Sequence, residues 1–316
     1  MLSRLTTLLD SKFGLFIKLF VSSGILFFFF YTIDYNKIEL IFKNINYNYL
    51  VLLFFLTIFR NYIGAVRFHY LIAIKKKIPV IQLMKQYFIA SFFNNFLPTA
   101  IGGDGVRVFL ISKFGVSKTD TALFIIMERL IGFYSLIIIA FLSCFFWKAP
   151  QQIKTLILVM TCGYTLMLMI IFLPKMNQLL EKFNINFFNK ILNNIKLLRS
   201  NFKVIILTLL LSLFNQFISV MISYFVAEAI NLEISMVVFL TLVPLVWFFT
   251  MIPISFGGVG LREISFVYLL ALINISKESS IMISLGTYLT LIISGIIGMI
   301  YLLNDRVKGL NTKVNT

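Results

Sequence analysis

Six stretches of this chain, at about residues 13–33, 49–73, 120–147, 153–173, 202–230 and 279–303, stay apolar for as long as a helix needs to cross a bilayer, which is about 20 residues. Lipid offers no partner to a backbone amide, so runs of this kind fold as helices that satisfy their own hydrogen bonds. Of the 316 residues, 60% are hydrophobic and 36 are phenylalanine, whereas a soluble domain is typically about 45–50% apolar. The chain therefore reads as an all-α polytopic membrane protein. Its first run follows a basic start, exceeds a signal-peptide core and leads to no small-residue cleavage site, so it is expected to stay as an uncleaved span.

Two further apolar segments do not run straight through. One extends from Gln82 to about Phe114 and is interrupted at Pro98 and Gly102-Gly103; the other extends from about Ile234 to Asn274 and is interrupted at Pro253 and Gly257-Gly258. The formal net charge of +16 gives a test of how these segments cross. Arg4, Lys12 and Lys18 lie before or in the first span, Lys75, Lys76, Lys77 and Lys85 after the second, and Lys175, Lys182, Lys190, Lys196, Arg199 and Lys203 after the fourth. Arg306, Lys308 and Lys313 follow the last. Positive loops face the cytoplasm. All four groups reach that side only if each broken segment enters and leaves by the same face. The expected architecture is thus six transmembrane helices plus two re-entrant helical hairpins, with both termini cytoplasmic. This distribution fits contact with anionic phospholipids and argues against nucleic acid as the partner. Residues 175–200 alternate apolar and basic positions at near-helical spacing. They read as an amphipathic cytoplasmic segment, lying on the inner leaflet or packed on the protein's own loops.

The two interruptions match. "PTAIGGDGVR" runs from Pro98 to Arg107 and "PISFGGVGLR" from Pro253 to Arg262; proline, the glycine pair, a third glycine and the arginine recur 155 positions apart. The second and fifth spans, and the third and sixth, follow nearly the same offset. One transmembrane domain over 1–316 would thus contain two halves, about 10–148 and 150–305. Three crossings per half invert the second half relative to the first, and inverted repeats with interrupted segments point to a transporter site near the bilayer midplane.

Pro98 and Pro253 end the first arm of each hairpin. Gly102, Gly103, Gly105, Gly257, Gly258 and Gly260 allow the turn and close backbone approach. The helices that begin next present free N–H groups, which favour anions. Arg107 and Arg262 sit in their first turns, where paired guanidinium donors suit a phosphate. Asp104, Glu128, Arg129, Glu263 and Arg60 are costly charges at membrane depth and are expected to form a charge network or couple transport to protons. An alternative stays open, in which the charges only hold the hairpins together: Arg107 with Glu128, and Arg262 with Glu263 or Glu228. Asp104, Glu128 and Glu263 are carboxylates that could serve as magnesium ligands, but no spacing compels it, so no metal, catalytic residue or cofactor is expected. Cys144 and Cys162 lie in apolar runs and read as buried thiols facing lipid or another helix, and the single histidine, His69, makes no cluster.

"FLPTAIGGDGVR", "ERLIG" and "PISFGGVGLRE" resemble the flippase-like transmembrane domain of the lysylphosphatidylglycerol synthase family, over about residues 10–305. Gly102, Gly103, Asp104, Arg107, Glu128, Arg129, Gly257, Gly258, Gly260, Arg262 and Glu263 match its motif positions. The resemblance implies a lipid flippase in a bacterial cytoplasmic membrane, moving a phospholipid, an aminoacyl-phosphatidylglycerol or a polyprenyl-phosphate type of lipid, rather than an enzyme. The chain is expected to stand alone, without the synthase's soluble aminoacyl-transfer domain. A homodimer or a lipid- or glycan-synthesis enzyme is the protein partner to expect. The competing readings are a non-transporting membrane subunit of a lipid- or glycan-modifying complex, and an intramembrane lipid-phosphate enzyme.

Overall fold

A computed structural model describes residues 31–96, 102–172, 200–250 and 258–314, with Ser23, Gly24, Phe27, Leu197 and Ser255 besides. Most of the first span, Pro98, Pro253, Gly257 and nearly all of the amphipathic segment lie outside the described residues. Ten helices and no strand occur among those described: α1 (Tyr35–Lys43), α2 (Asn48–Ile72), α3 (Val80–Phe96), α4 (Gly102–Ser112), α5 (Lys118–Ser143), α6 (Gln151–Phe172), α7 (Phe202–Ala229), α8 (Met236–Thr250), α9 (Leu261–Ala271) and α10 (Lys277–Val314). Asn48–Ile72, Lys118–Ser143, Gln151–Met169, Phe202–Ala229 and Lys277–Asn304 are long and apolar enough to span a bilayer. They answer to five of the six spans read from the sequence. Each interrupted segment is two shorter helices, α3 with α4 and α8 with α9.

The spans keep large apolar side chains on their outer faces, among them Phe55, Val51, Val159, Leu166, Leu210 and Ile296. A soluble protein rarely leaves so much apolar surface uncovered; in a multi-pass membrane protein lipid covers it. Hydroxyls inside the spans turn back on their own helix. Thr57 donates to the Leu53 carbonyl at 2.7 Å, Thr208 to Val204 at 2.7 Å and Ser135 to Ile131 at 2.8 Å, so no polar group of these three is left to lipid. Pro244 lies inside α8. Its ring removes one helical donor, a defect tolerable because α8 packs among α5, α7 and α9.

Pairing of the helices repeats. α2 packs against α7; α3 against α10, and α8 against α5; α4 against α5, and α9 against α10; α2 against α3, and α7 against α8; α5 against α7, and α10 against α2. Exchanging the set α2–α5 with the set α7–α10 turns each of these contacts into another on the same list.

Small residues set how closely the helices approach, as they do where lipid tails remove the hydrophobic drive between helices. α10 meets α3 through Gly298 and Gly295: a Cβ on Gly298 would run into the Phe88 carbonyl oxygen, and one on Gly295 into the Asn95 amide. Asn95 also donates to the Leu291 carbonyl at 3.0 Å. Gly298→Val is expected to push α3 and α10 apart, and overpacking of this kind costs about 1–3 kcal/mol. Thermal unfolding in detergent should fall for Gly298→Val and stay unchanged for Gly163→Val, whose position on α6 has nothing within 4 Å.

Candidate functional site

The starts of α4 and α9, which follow the two breaks, are built differently. On the first, the N–H of Gly103 donates to Asn94 Oδ1 at 2.8 Å, so the end of α3 caps the start of α4. A Cβ at Gly103 would collide with the Ala90 carbonyl oxygen, so only glycine lets α4 come this close to α3. On the second, Gly258 and Gly260 hold φ of 82° and 90°, a region that side-chain-bearing residues rarely enter. The N–H of Gly260 donates to Glu263 Oε2 at 2.6 Å, which closes the first turn of α9. Gly260→Ala is expected to cost about 1–3 kcal/mol from backbone strain, read as a lower unfolding temperature, whereas Gly105→Ala meets nothing within 4 Å and should be silent.

Arg107 and Arg262, expected to act alike, stand in different surroundings. Arg107 is buried on α4 between the rings of Tyr87 and Phe68, at 4.1 and 4.6 Å from their centres. Its Nη2 donates to Glu128 Oε2 at 2.9 Å, and its Nη1 lies 3.6 Å from Asp104. Glu128 takes two further donors on Oε1: Arg67 at 2.6 Å and the hydroxyl of Tyr87. Asp104 in turn accepts from Arg129. The chain Arg67–Glu128–Arg107–Asp104–Arg129 ties α2, α4 and α5 together, with Tyr87 from α3 on its central carboxylate. Adjacent residues on one helix point apart, and Glu128 and Arg129 accordingly serve different partners.

Arg262 lies over the Tyr288 ring at 4.4 Å, donates to Ser284 at 3.3 Å and reaches Glu263 at 3.3 Å. Ser284 closes the triangle by donating to Glu263 at 2.8 Å. The alternative pairings of Arg107 with Glu128 and of Arg262 with Glu263 are both present. Asp104, Glu128 and Glu263 make no group that could hold a metal ion among the described residues.

A cavity of about 360 Å³ lies among α2, α3, α5, α7, α8, α9 and α10. Arg60, Arg129 and Arg262 line it, together with Tyr87, Trp247 and Gly258, and among the described residues no carboxylate does. Arg107, Gly102, Gly103 and Gly105 are not on its wall. Four pairs of lining residues lie 155 positions apart: Arg60 with Asn215, Asn61 with Gln216, Gly64 with Ser219, and Leu136 with Leu291. The offset of the two glycine motifs thus recurs in the cavity wall. Arg60 and Asn215 stand near the middle of α2 and α7, helices of 25 and 28 residues.

Arg60 is the unusual member of this wall. Its Nη1 donates to the Ser219 hydroxyl at 3.4 Å, and no carboxylate pairs with it among the described residues. Two more polar atoms of the wall are buried without a hydrogen-bond partner, Trp247 Nε1 and Asn215 Oδ1. A guanidinium balanced by no acid among the described residues, in the same wall as an unpartnered indole N–H, is an arrangement that can take an anion. Sequence reasoning placed Arg60 in the charge network and gave no role to Tyr87, Trp247, Ser219 or Ser284. The only signal for Ser219 was its place 155 positions after Gly64.

The family model described as "Lysylphosphatidylglycerol synthase TM region" matches residues 15–298. No curated protein matches the chain. No solved structure matches it either. The match covers α1 to α9, the first part of α10, the interrupted segments and every residue described in the cavity wall, and the chain belongs to the lysylphosphatidylglycerol synthase transmembrane family.

Proposed function

We propose that this protein moves a phosphate-bearing lipid across the cytoplasmic membrane of a bacterium, holding the head in the central cavity while the tails stay in lipid. The observation that carries this reading is the cavity wall: among the described residues it holds three arginines, no carboxylate and an unpartnered indole N–H, gathered from both halves. A buried site of this kind has no use in a passive structural helix bundle, because uncompensated charge at membrane depth is costly. The proposed frame is six spans plus two re-entrant hairpins in an inverted repeat, with both termini cytoplasmic. The exchange symmetry of the helix contacts and the 155-residue offset in the cavity wall support it. In this frame Arg262 and the Gly258–Gly260 turn meet the phosphate directly. Arg107 and the first glycine set hold α4 in place, and Arg67, Glu128 and Asp104 brace Arg129 at the edge of the site. The chain acts as a transporter and not an enzyme.

The test is reconstitution of the purified protein into liposomes with a labelled phospholipid in one leaflet. Lipid should appear in the other leaflet at a rate that rises with protein content. Movement no faster than in protein-free liposomes, for every anionic lipid tried, would end this reading.

A further inference from the structure

The wall of the central cavity has hydrogen-bonding capacity of both kinds left over. On the donor side, Arg60 meets the Ser219 hydroxyl alone, and Trp247 Nε1 has no partner among the described residues. On the acceptor side stands Asn215, whose Oδ1 is buried and receives no donor among the described residues. Three other side chains of the wall have turned donors inward. Ser91 donates to the Tyr87 carbonyl at 3.0 Å, Thr250 to the Trp247 carbonyl at 2.9 Å and Gln216 Nε2 to the Gly132 carbonyl at 3.3 Å. Ser91 and Thr250 thus keep only oxygen lone pairs for a ligand, and Gln216 keeps its amide oxygen. Asn215 is the counterpart of Arg60, 155 positions on, so one half brings an acceptor where the other brings a donor. An ionised phosphate answers only part of this wall. Its oxygens accept from Arg60 and Trp247, but it has no proton to give Asn215, and a buried acceptor left without a donor is costly. The cavity, at about 360 Å³, also falls within the range of roughly 300–1,000 Å³ for sites that take whole small molecules, which leaves room beside a phosphate.

We infer that the cavity takes a lipid whose phosphate carries an uncharged, hydroxyl-bearing head, a polyol or a sugar, and that Asn215 is the residue that reads the hydroxyl. The inference rests on the reading of the cavity as a head-group site and adds the chemistry of the head beyond the phosphate. A hydroxyl donates one proton and accepts on two lone pairs, so it can donate to Asn215 while it accepts from Trp247. The last torsion of an asparagine is soft, and its amide turns to meet a ligand without any shift of α7. An ammonium would also donate, but it has no lone pair for Trp247 and finds no carboxylate among the described residues of the wall. Near Arg60 its charge meets like charge in a low dielectric, which is unfavourable. A bare phosphate leaves Asn215 without a donor.

Two phosphodiester lipids of the same acyl length isolate the hydroxyl. Phosphatidylglycerol and phosphatidylpropanol carry the same charge and differ only in the hydroxyls of the head. Competition between them for the purified full-length protein in detergent, read by native mass spectrometry, is expected to favour phosphatidylglycerol by about ten-fold or more. Phosphatidylethanolamine, with its ammonium, should bind more weakly than phosphatidylglycerol. Glycerol 3-phosphate, which has the head without tails, should also bind more weakly. Asn215→Leu should bring phosphatidylglycerol and phosphatidylpropanol to within about two-fold of each other. Arg60→Ala should weaken both alike and keep the preference, because their charge is the same. Asn215 Oδ1 has no partner among the described residues to lose, so Asn215→Leu without lipid should unfold at a temperature no lower than the unmodified protein. Equal binding of phosphatidylglycerol and phosphatidylpropanol by the unmodified protein overturns the inference, as does phosphatidylethanolamine binding as tightly as phosphatidylglycerol. A preference that survives Asn215→Leu, or a lower unfolding temperature of that variant, overturns the role of Asn215. Glycerol 3-phosphate binding as well as phosphatidylglycerol overturns the lipid as the source of the head. Lipid movement in liposomes without any preference for the hydroxyls removes this inference and leaves the transport reading intact. Selective binding of phosphatidylglycerol with no movement upholds the head-group inference and removes the transport reading instead.

Discussion

Glu128→Gln is expected to lower the unfolding temperature of the purified protein by on the order of 10 °C and to cut its yield in the membrane. The carboxylate stands between two guanidiniums: Oε1 accepts from Arg67 at 2.6 Å and from Tyr87, and Oε2 accepts from Arg107 at 2.9 Å. All of these groups are buried or nearly so. An amide keeps the shape and loses the charge, and leaves two cations facing each other through it. Removing one partner of a buried pair typically costs about 3–5 kcal/mol, because the remaining charge is uncompensated in a medium that cannot solvate it. Glu128→Asp keeps the charge at a shorter reach and should fall between the two. Arg129→Gln removes a half-buried cation from Asp104, which keeps Arg107, and should cost much less. A stability profile in which Glu128→Gln matches the unmodified protein would rule out Glu128 as the brace of α2, α4 and α5.

Arg60→Ala is expected to have the opposite profile, with lipid movement in liposomes reduced about 10–100-fold and the unfolding temperature unchanged. A hydrogen bond to a charged group contributes about 1.5–3 kcal/mol, and each 1.4 kcal/mol is a factor of ten. Among the described residues no carboxylate depends on Arg60, so its removal strands no charge there, and the Ser219 hydroxyl loses a 3.4 Å contact. Arg262→Ala should also slow transport but will destabilise the turn, since Glu263 would then hold a buried negative charge on Ser284 and the Gly260 N–H alone. The contrast between the two arginines separates a ligand-facing group from one that is both ligand-facing and structural.

Much of this architecture was legible before any coordinates. The apolar runs marked α2, α5, α6, α7 and α10 because lipid leaves a long apolar segment no choice but helix. Pro98, Pro253 and the glycine pairs marked the two broken segments because proline removes a helical donor and glycine weakens a helix. The distance of 155 residues between the motifs was visible in the string itself. Legibility ended where rotation about a helix axis decides the outcome. Arg60 and Asn215 lie in uninterrupted spans, where periodicity is hidden by apolar residues all round, so nothing told which face they occupy. Arg107 was read with Arg262 because the motifs match, yet their surroundings do not. Glu128, the partner of Arg107, has Ile283 at the matching position of the second half, and Glu263 has Val108 at the matching position of the first. A repeated motif therefore fixed where the two arginines lie along the chain, while the unrepeated acids decided what each one does. Tyr87 and Trp247 carried no signal at all, since an aromatic in an apolar run is ordinary.

The central claim is that lipid phosphate enters the mid-span cavity, and an experimental density map of the protein in a lipid nanodisc containing an anionic phospholipid tests it most directly. The account predicts phosphate density within hydrogen-bonding reach of Arg60 and Arg262, beside Trp247, with tails leading out to the bilayer. Lipid phosphates confined to the two membrane surfaces, with only water or an acyl chain against Arg60 and Arg262, would contradict it.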